Sequence, residues 1–276
     1  LEAYAAAWGL TVNVAKTQVV VFDGQRRRAA PAAAAGLSFT YGGAALEMVD
    51  EFRYLGVHFH SSLALTAAAA ARASAGGRAM HAVRRRCAEL GLRGAKLQLH
   101  MFSAMVLPVL SYGAEIWSPP ADCYRFPVLP LGCSWLLRAS CWACGSTTPA
   151  LVLLAETAQQ PLVARWAAQV GRFWNSVLAA EEGSLVQRAL RDSCVLATEA
   201  GGAGLARQPW AGQVAATLRA YGTDVDLEQP HPVNVTDITE AAAASFCHQL
   251  STAQGTRVRQ YVDATRADRA DGMPGY

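Results

Sequence analysis

Phe52-Arg-Tyr-Leu-Gly-Val-His-Phe-His-Ser-Ser-Leu-Ala-Leu-Thr-Ala-Ala-Ala-Ala-Ala-Arg72 is the stretch where the chain changes character. Its first half, Phe52 to Phe59, is aromatic and β-branched and reads as a strand. From Leu63 to Leu90 the period becomes helical. Met80, Val83, Cys87 and Leu90 fall on one stripe at spacings of three and four. Strands before this point and helices after it predict an α+β chain, with residues 1–62 β-rich and the rest mostly helical.

Upstream, Leu1 to Trp8 reads as the end of a helix stopped by Gly9. Leu10 to Phe22 is extended, with Val19-Val20-Val21-Phe22 expected as a short buried strand. Arg26 to Ala35 is a polar, alanine-rich linker. Leu37 to Met48 reads as a hairpin turning at Gly42-Gly43. Downstream, Lys96 to Leu107 is expected as a helix that stops before Pro108. Further helices are expected at Cys133 to Trp142, Leu162 to Leu178, Leu185 to Leu196, Ala206 to Tyr221 and Thr236 to Leu250. The expected divisions are 1–62, 63–120 and 121–255, followed by a loose tail over 256–276.

The 276 residues are 52% hydrophobic and 16% charged, as in a folded chain. Alanine supplies much of the apolar fraction, so the burial available is smaller than that figure implies. No run reaches the ~18 apolar residues of a membrane span, and Leu1 opens without a charged leader. No membrane partner is expected, and the location is expected to be intracellular. Leu1 in place of methionine raises the expectation that the chain continues upstream in a longer protein. Seven cysteines, an odd number without a secretory leader, read as reduced and mostly buried thiols. Cys141-Trp-Ala-Cys144 lacks the second pair that structural zinc requires, so no metal is assigned.

The net charge of +3 hides an asymmetry. Residues 1–96 carry 12 basic and 6 acidic side chains, whereas the remainder carries 12 and 15. Seven of the basic residues, Arg72, Arg78, Arg84, Arg85, Arg86, Arg93 and Lys96, lie within 25 positions, opposed only by Glu89. Arg78 and Arg85 are seven apart and share a helix face opposite the apolar stripe. The functional reading is a sequence-blind contact with nucleic-acid phosphates; the plain alternative is a solvated face. Tyr221-Gly-Thr-Asp-Val-Asp226 has its aspartates separated by Val225 and reads as a turn. No nucleophile elbow, phosphate-binding glycine loop or dinucleotide fingerprint occurs.

Four segments, in order, resemble one family. They are Trp8-Gly-Leu-Thr-Val-Asn-Val-Ala-Lys-Thr-Gln-Val-Val-Val-Phe22, Phe52-Arg-Tyr-Leu-Gly-Val57, Leu107-Pro-Val-Leu-Ser-Tyr-Gly-Ala-Glu-Ile-Trp117, and Thr147-Thr-Pro-Ala-Leu-Val-Leu-Leu-Ala-Glu156 with the later Phe173-Trp-Asn175. Together, over about residues 1–200, they resemble the back part of the reverse transcriptases of non-LTR (LINE-type) retrotransposons. The resemblance implies a small antiparallel palm remnant, a helical thumb and a helical C-terminal region. It implies that Asn13 and Lys16 lie near the incoming nucleotide as auxiliaries to catalysis. It also makes Phe52, Tyr54, Leu55 and Gly56 the primer-grip hairpin, with Gly56 letting backbone approach the primer end. Phe52 and Leu55 would pack against the palm in any case.

Polymerisation needs two metal ions held by close carboxylates, Mg2+ in the full-length parent. Between residues 1 and 46 the only acids are Glu2 and Asp23. The chain alone is therefore expected to hold no cofactor and to be an inactive fragment of an RNA-directed DNA polymerase. Its implied partners are an RNA template, a DNA primer and the missing palm and fingers segments upstream, and its implied location is the nucleus. The alternative is a stand-alone helical nucleic-acid-binding module without catalysis.

Overall fold

Among the described residues between Gln18 and His60, glycine turns and charged residues interrupt the apolar residues every few positions, and the strands are short. The computed structural model describes residues 2–22, 37–62, 65–92, 94–119, 152, 154, 157–200 and 208–270. The chain divides into two compact units, Leu1–Ala68 and Ala69–Tyr276.

In the first unit α1 (Glu2–Ala7) ends at Gly9, which takes a left-handed φ of 62°. A 3₁₀ turn at Val14–Lys16 leads into β1 (Gln18–Val19). The hairpin of β2 (Thr40–Tyr41) and β3 (Ala44–Ala45) turns at Gly42-Gly43, both with positive φ. β4 (Glu47–Met48) then lies parallel to β1, with Gln18 opposite Glu47. β5 (Glu51–Tyr54) and β6 (Val57–His60) form a second antiparallel hairpin. The β part is thus three separate two-stranded ladders, one of them parallel, rather than one antiparallel sheet.

Two local expectations are corrected. The strand expected over Val19 to Phe22 stops at Val19, and Phe22 is exposed rather than buried. Phe52 to Phe59, read from its residues as one strand and by the resemblance as a hairpin over Phe52 to Val57, reverses at Leu55-Gly56 into two paired strands.

The second unit is helical. α2 (Thr66–Glu89) buries Ala69, Gly76, Met80, Val83 and Cys87 on one stripe. Leu90 leaves that stripe: it follows the last helical residue and is 55% exposed. α3 (Ala95–Met101) passes through a π-helical turn, Phe102–Val106, into α4 (Leu107–Leu110). The chain was expected to stop being helical before Pro108. Instead the wider π turn takes up the proline, which lacks an N–H and would collide with the carbonyl four residues back. α5 (Ala114–Trp117) follows a left-handed Gly113.

α6 (Leu162–Leu178), α7 (Leu185–Glu199), α8 (Trp210–Ala220) and α9 (Val235–Ala270) are the unit's further described helices, and the helix expected at Cys133 to Trp142 lies outside the described residues. α9 runs well past the expected end at Leu250 and through most of the expected tail. The core gathers Val170, Trp174 and Val177 of α6, Leu190 and Cys194 of α7, Val214 and Leu218 of α8, and Ile238 and Ala242 of α9. Alanines at 164, 167, 211, 215 and 242 let these helices approach closely.

Buried indoles are satisfied by main chain or hydroxyl, as buried N–H groups require. Trp166 donates to Ser111 Oγ (3.1 Å) and stands edge-on to Trp117 at 5.0 Å. Trp174 donates to the His231 carbonyl, and Trp210 to that of Glu115. Asn175 makes a peptide-like pair with Val233, donating to its carbonyl (2.9 Å) and accepting from its N–H (2.8 Å). The residues that carry the resemblance in this half, Ser111, Trp117, Trp174 and Asn175, are therefore fasteners of the helical core. Among the described residues no helix is long and apolar enough to cross a membrane.

Candidate functional site

The β5–β6 hairpin is built on a two-residue turn in which both Leu55 (φ 46°) and Gly56 (φ 85°) are left-handed. That is the turn whose twist suits two antiparallel strands. Glycine adopts it freely, but a leucine there costs about 1 kcal/mol. Leu55 is also 73% exposed, and its neighbour Tyr54 is exposed as well. The packing expected of Leu55 is thus not found: its side chain stands at the hairpin tip. Phe52 is half-buried opposite Phe59.

Because directly opposed residues share a face, this register sorts the hairpin into two sides. Phe52, Phe59, Tyr54 and Val57 form an apolar side; Glu51, His60, Arg53 and His58 form a polar one. On the polar side the Glu51 carboxylate accepts from His58 Nδ1 at 2.7 Å. His60 Nδ1 accepts from the Ser62 N–H at 3.1 Å and lies 2.8 Å from Ser62 Oγ. None of the four polar-side residues belongs to the expected site. The register that sorts them depends on the turn at Leu55-Gly56, and the expected grip named only the tip and the apolar side.

Asn13 caps the start of the 3₁₀ turn before β1 and Lys16 is its last residue, and both are exposed. The Thr17 hydroxyl donates to the Asn13 carbonyl at 2.8 Å, closing the turn. Lys16 therefore stands on a hydrogen-bonded turn with its side chain exposed.

The basic residues do not form one face. Arg78 and Arg85 point opposite the buried stripe of α2, as their spacing requires; Arg84 and Arg86 flank that line on its two sides. Arg78 donates to Ser74 Oγ, and Arg86 pairs with Glu89 at 3.2 Å. Arg85 lies 3.8 Å from the same carboxylate and is 80% exposed, so that surface pair holds it weakly. Arg72 departs from the expected group. It is half-buried on the inner side of α2 with its guanidinium 5.5 Å from the centre of the Tyr112 ring, a cation–π contact. Four residues on, Gly76 meets Leu110, leaving no room for a Cβ. Arg72 thus helps to seat α2 on the 110–112 segment. Lys96 is exposed on α3, and Arg93 lies outside the described residues.

Among the described residues no three of His, Cys, Asp and Glu stand together as a metal group would need. The Glu2 carboxylate instead accepts the Gly42 N–H. Asp224 pairs with Arg219 and Asp226 caps the Glu228 N–H, so the Tyr221–Asp226 segment is a loop closed by its own hydrogen bonds over a buried Val225. Cys87 and Cys194 are buried thiols and Cys247 is half-buried; Cys123, Cys133, Cys141 and Cys144 lie outside the described residues.

No family model, curated protein or solved structure matches the chain.

Proposed function

We propose that this chain is the end of the palm and the thumb of a non-LTR-type reverse transcriptase, and that by itself it holds a primer–template duplex without extending it. The observation that carries this reading is the β5–β6 tip: a strained, exposed Leu55 beside a left-handed Gly56, on a hairpin whose neighbouring residues are ordinary. Strain retained at an exposed position is more often explained by what it touches than by folding. The salt-sensitive part of the grip comes from Arg78 and Arg85, which face away from the core of their helix. Lys16 and Asn13 take an auxiliary role only in a chain completed by the catalytic carboxylates and Mg2+.

The test is binding of an RNA–DNA duplex to the full chain over a salt series. Affinity should fall linearly with salt on a logarithmic plot. Arg78→Ala with Arg85→Ala should lower the slope by about 2, one unit for each phosphate that is no longer neutralised. No binding at low salt, or an unchanged slope in the double variant, would sink the reading.

The second reading, a helical nucleic-acid-binding module, draws on the fact that the helical unit has its own core and carries the basic helix. Gly56→Val separates the two. It should weaken duplex binding if the hairpin grips the primer, and leave it unchanged if the helices act alone.

A further inference from the structure

The polar side of the β5–β6 hairpin carries two imidazoles whose outward nitrogens are made unlike by their neighbours. The Glu51 carboxylate can only accept, so His58 Nδ1 carries the proton and, in the neutral ring, Nε2 presents a lone pair. At His60 the arrangement is reversed. The Ser62 N–H can only donate, so Nδ1 accepts and Nε2 carries the proton. Neither Nε2 has a hydrogen-bond partner among the described residues, and neither is a buried orphan. Arg53 lies directly opposite His58 on the same side.

An acceptor, a donor and a guanidinium therefore stand on one partly exposed face, the two half-buried imidazoles two residues or about 6.6 Å apart along β6 and Arg53 exposed beside them. A ribose 2′-hydroxyl needs an acceptor for its proton, and the adjoining phosphate needs donors and positive charge. DNA offers the phosphate but not the hydroxyl. A metal site is a poorer fit, because His60 Nε2 already bears a proton and would have to exchange it while Nδ1 stays bound to Ser62.

We infer that this face is a ribose–phosphate contact that distinguishes an RNA strand from a DNA strand. His58 Nε2 accepts from the 2′-hydroxyl, while Arg53 and His60 Nε2 donate to the phosphate. Glu51 and Ser62 are positioning residues that fix which nitrogen of each ring is the donor. The inference rests on the reading that the chain holds nucleic acid, and adds that the polar side of the hairpin reads the RNA strand while the Leu55-Gly56 tip is left to the DNA primer.

The experiment compares three single-stranded oligonucleotides of one sequence, RNA, 2′-O-methyl RNA and DNA, binding to the full chain at fixed salt. RNA should bind about two- to tenfold tighter than the other two, the range expected for one neutral hydrogen bond. The methylated strand keeps the sugar but has no hydroxyl proton to give, so this comparison needs no altered protein. His58→Ala should bring the RNA-to-DNA ratio to about one with DNA binding unchanged, whereas Arg53→Ala should weaken both strands alike. Equal binding of all three oligonucleotides would overturn the assignment and leave the nucleic-acid reading intact. Failure of all three to bind at low salt would overturn both.

Discussion

The two units bury their sequences very differently. Among the described residues of the first, only Ala5, Val57 and Ala68 are buried. Tyr4, Trp8, Leu10, Phe22, Leu37, Phe39, Tyr54 and Leu55 are large, apolar and exposed. The second unit buries three whole tryptophans, Trp117, Trp166 and Trp174, among interlocking helices. The difference lies in where the apolar residues fall. In α6, α7 and α8 they repeat every three or four positions over 11 residues or more, so each of these helices has a continuous face to bury. In the first unit the ladders are two to four residues long, and such short strands cannot enclose a core. A region with this much apolar surface and little core is suited to contact with something else, and carries an aggregation hazard if nothing covers it.

The largest expected effect sharpens this contrast from the stable side. Trp174→Ala empties the middle of the helical core and strands the His231 carbonyl, so stability should fall by about 3–5 kcal/mol. Phe52→Ala, on the half-exposed hairpin, should cost about 1 kcal/mol or less. Denaturant unfolding followed by circular dichroism measures both. Comparable losses would break the comparison.

Next is the seat of α2. Gly76→Val places branched carbons where Leu110 already sits, and overpacking should cost about 1–3 kcal/mol. Adding Leu110→Ala makes room, so the double variant should lose less than the sum of the single changes. Strict additivity, read from thermal melts, would show that the two residues do not meet.

Leu55→Asn should run the other way. Asparagine tolerates the left-handed region, so the hairpin should gain about 1 kcal/mol while duplex binding weakens. A gain in stability with binding intact would make Leu55 an accident of the turn.

The smallest effect concerns Cys194, whose thiol burial pushes above the ordinary range. In the unfolded chain the thiol ionises at the ordinary value, whereas the folded chain holds its proton longer. The folded state therefore binds more protons in that window, and stability falls as pH rises from the usual thiol range through the raised value. Cys194→Ala should flatten that alkaline loss, measured as the difference between the two proteins' stability–pH curves.

Much of this contrast was legible in the residues. The change of period after residue 62 marks the passage from strands to helices. The Met80, Val83 and Cys87 stripe is the buried side of α2, and α6 has the expected bounds Leu162–Leu178. Gly42-Gly43 turns as its composition requires. What could not be read depends on partners distant in sequence. The parallel pairing of Gln18-Val19 with Glu47-Met48 leaves no periodic trace in segments of two residues. The position of Arg72 depends on Tyr112, forty residues away, so a count of charges places it on the wrong side of its helix. The polar side of the hairpin was missed because the resemblance names only Phe52, Tyr54, Leu55 and Gly56, whereas the residues of the other side follow from the register across the turn.

The most direct measurement is amide hydrogen exchange on the full chain, with and without an RNA–DNA duplex. In the free protein α6 should exchange slowly and the Glu51–His60 hairpin quickly; the duplex should slow the hairpin and the exposed side of α2 while leaving α6 unchanged. A hairpin already as protected as α6, or one whose exchange the duplex does not alter, would contradict the account.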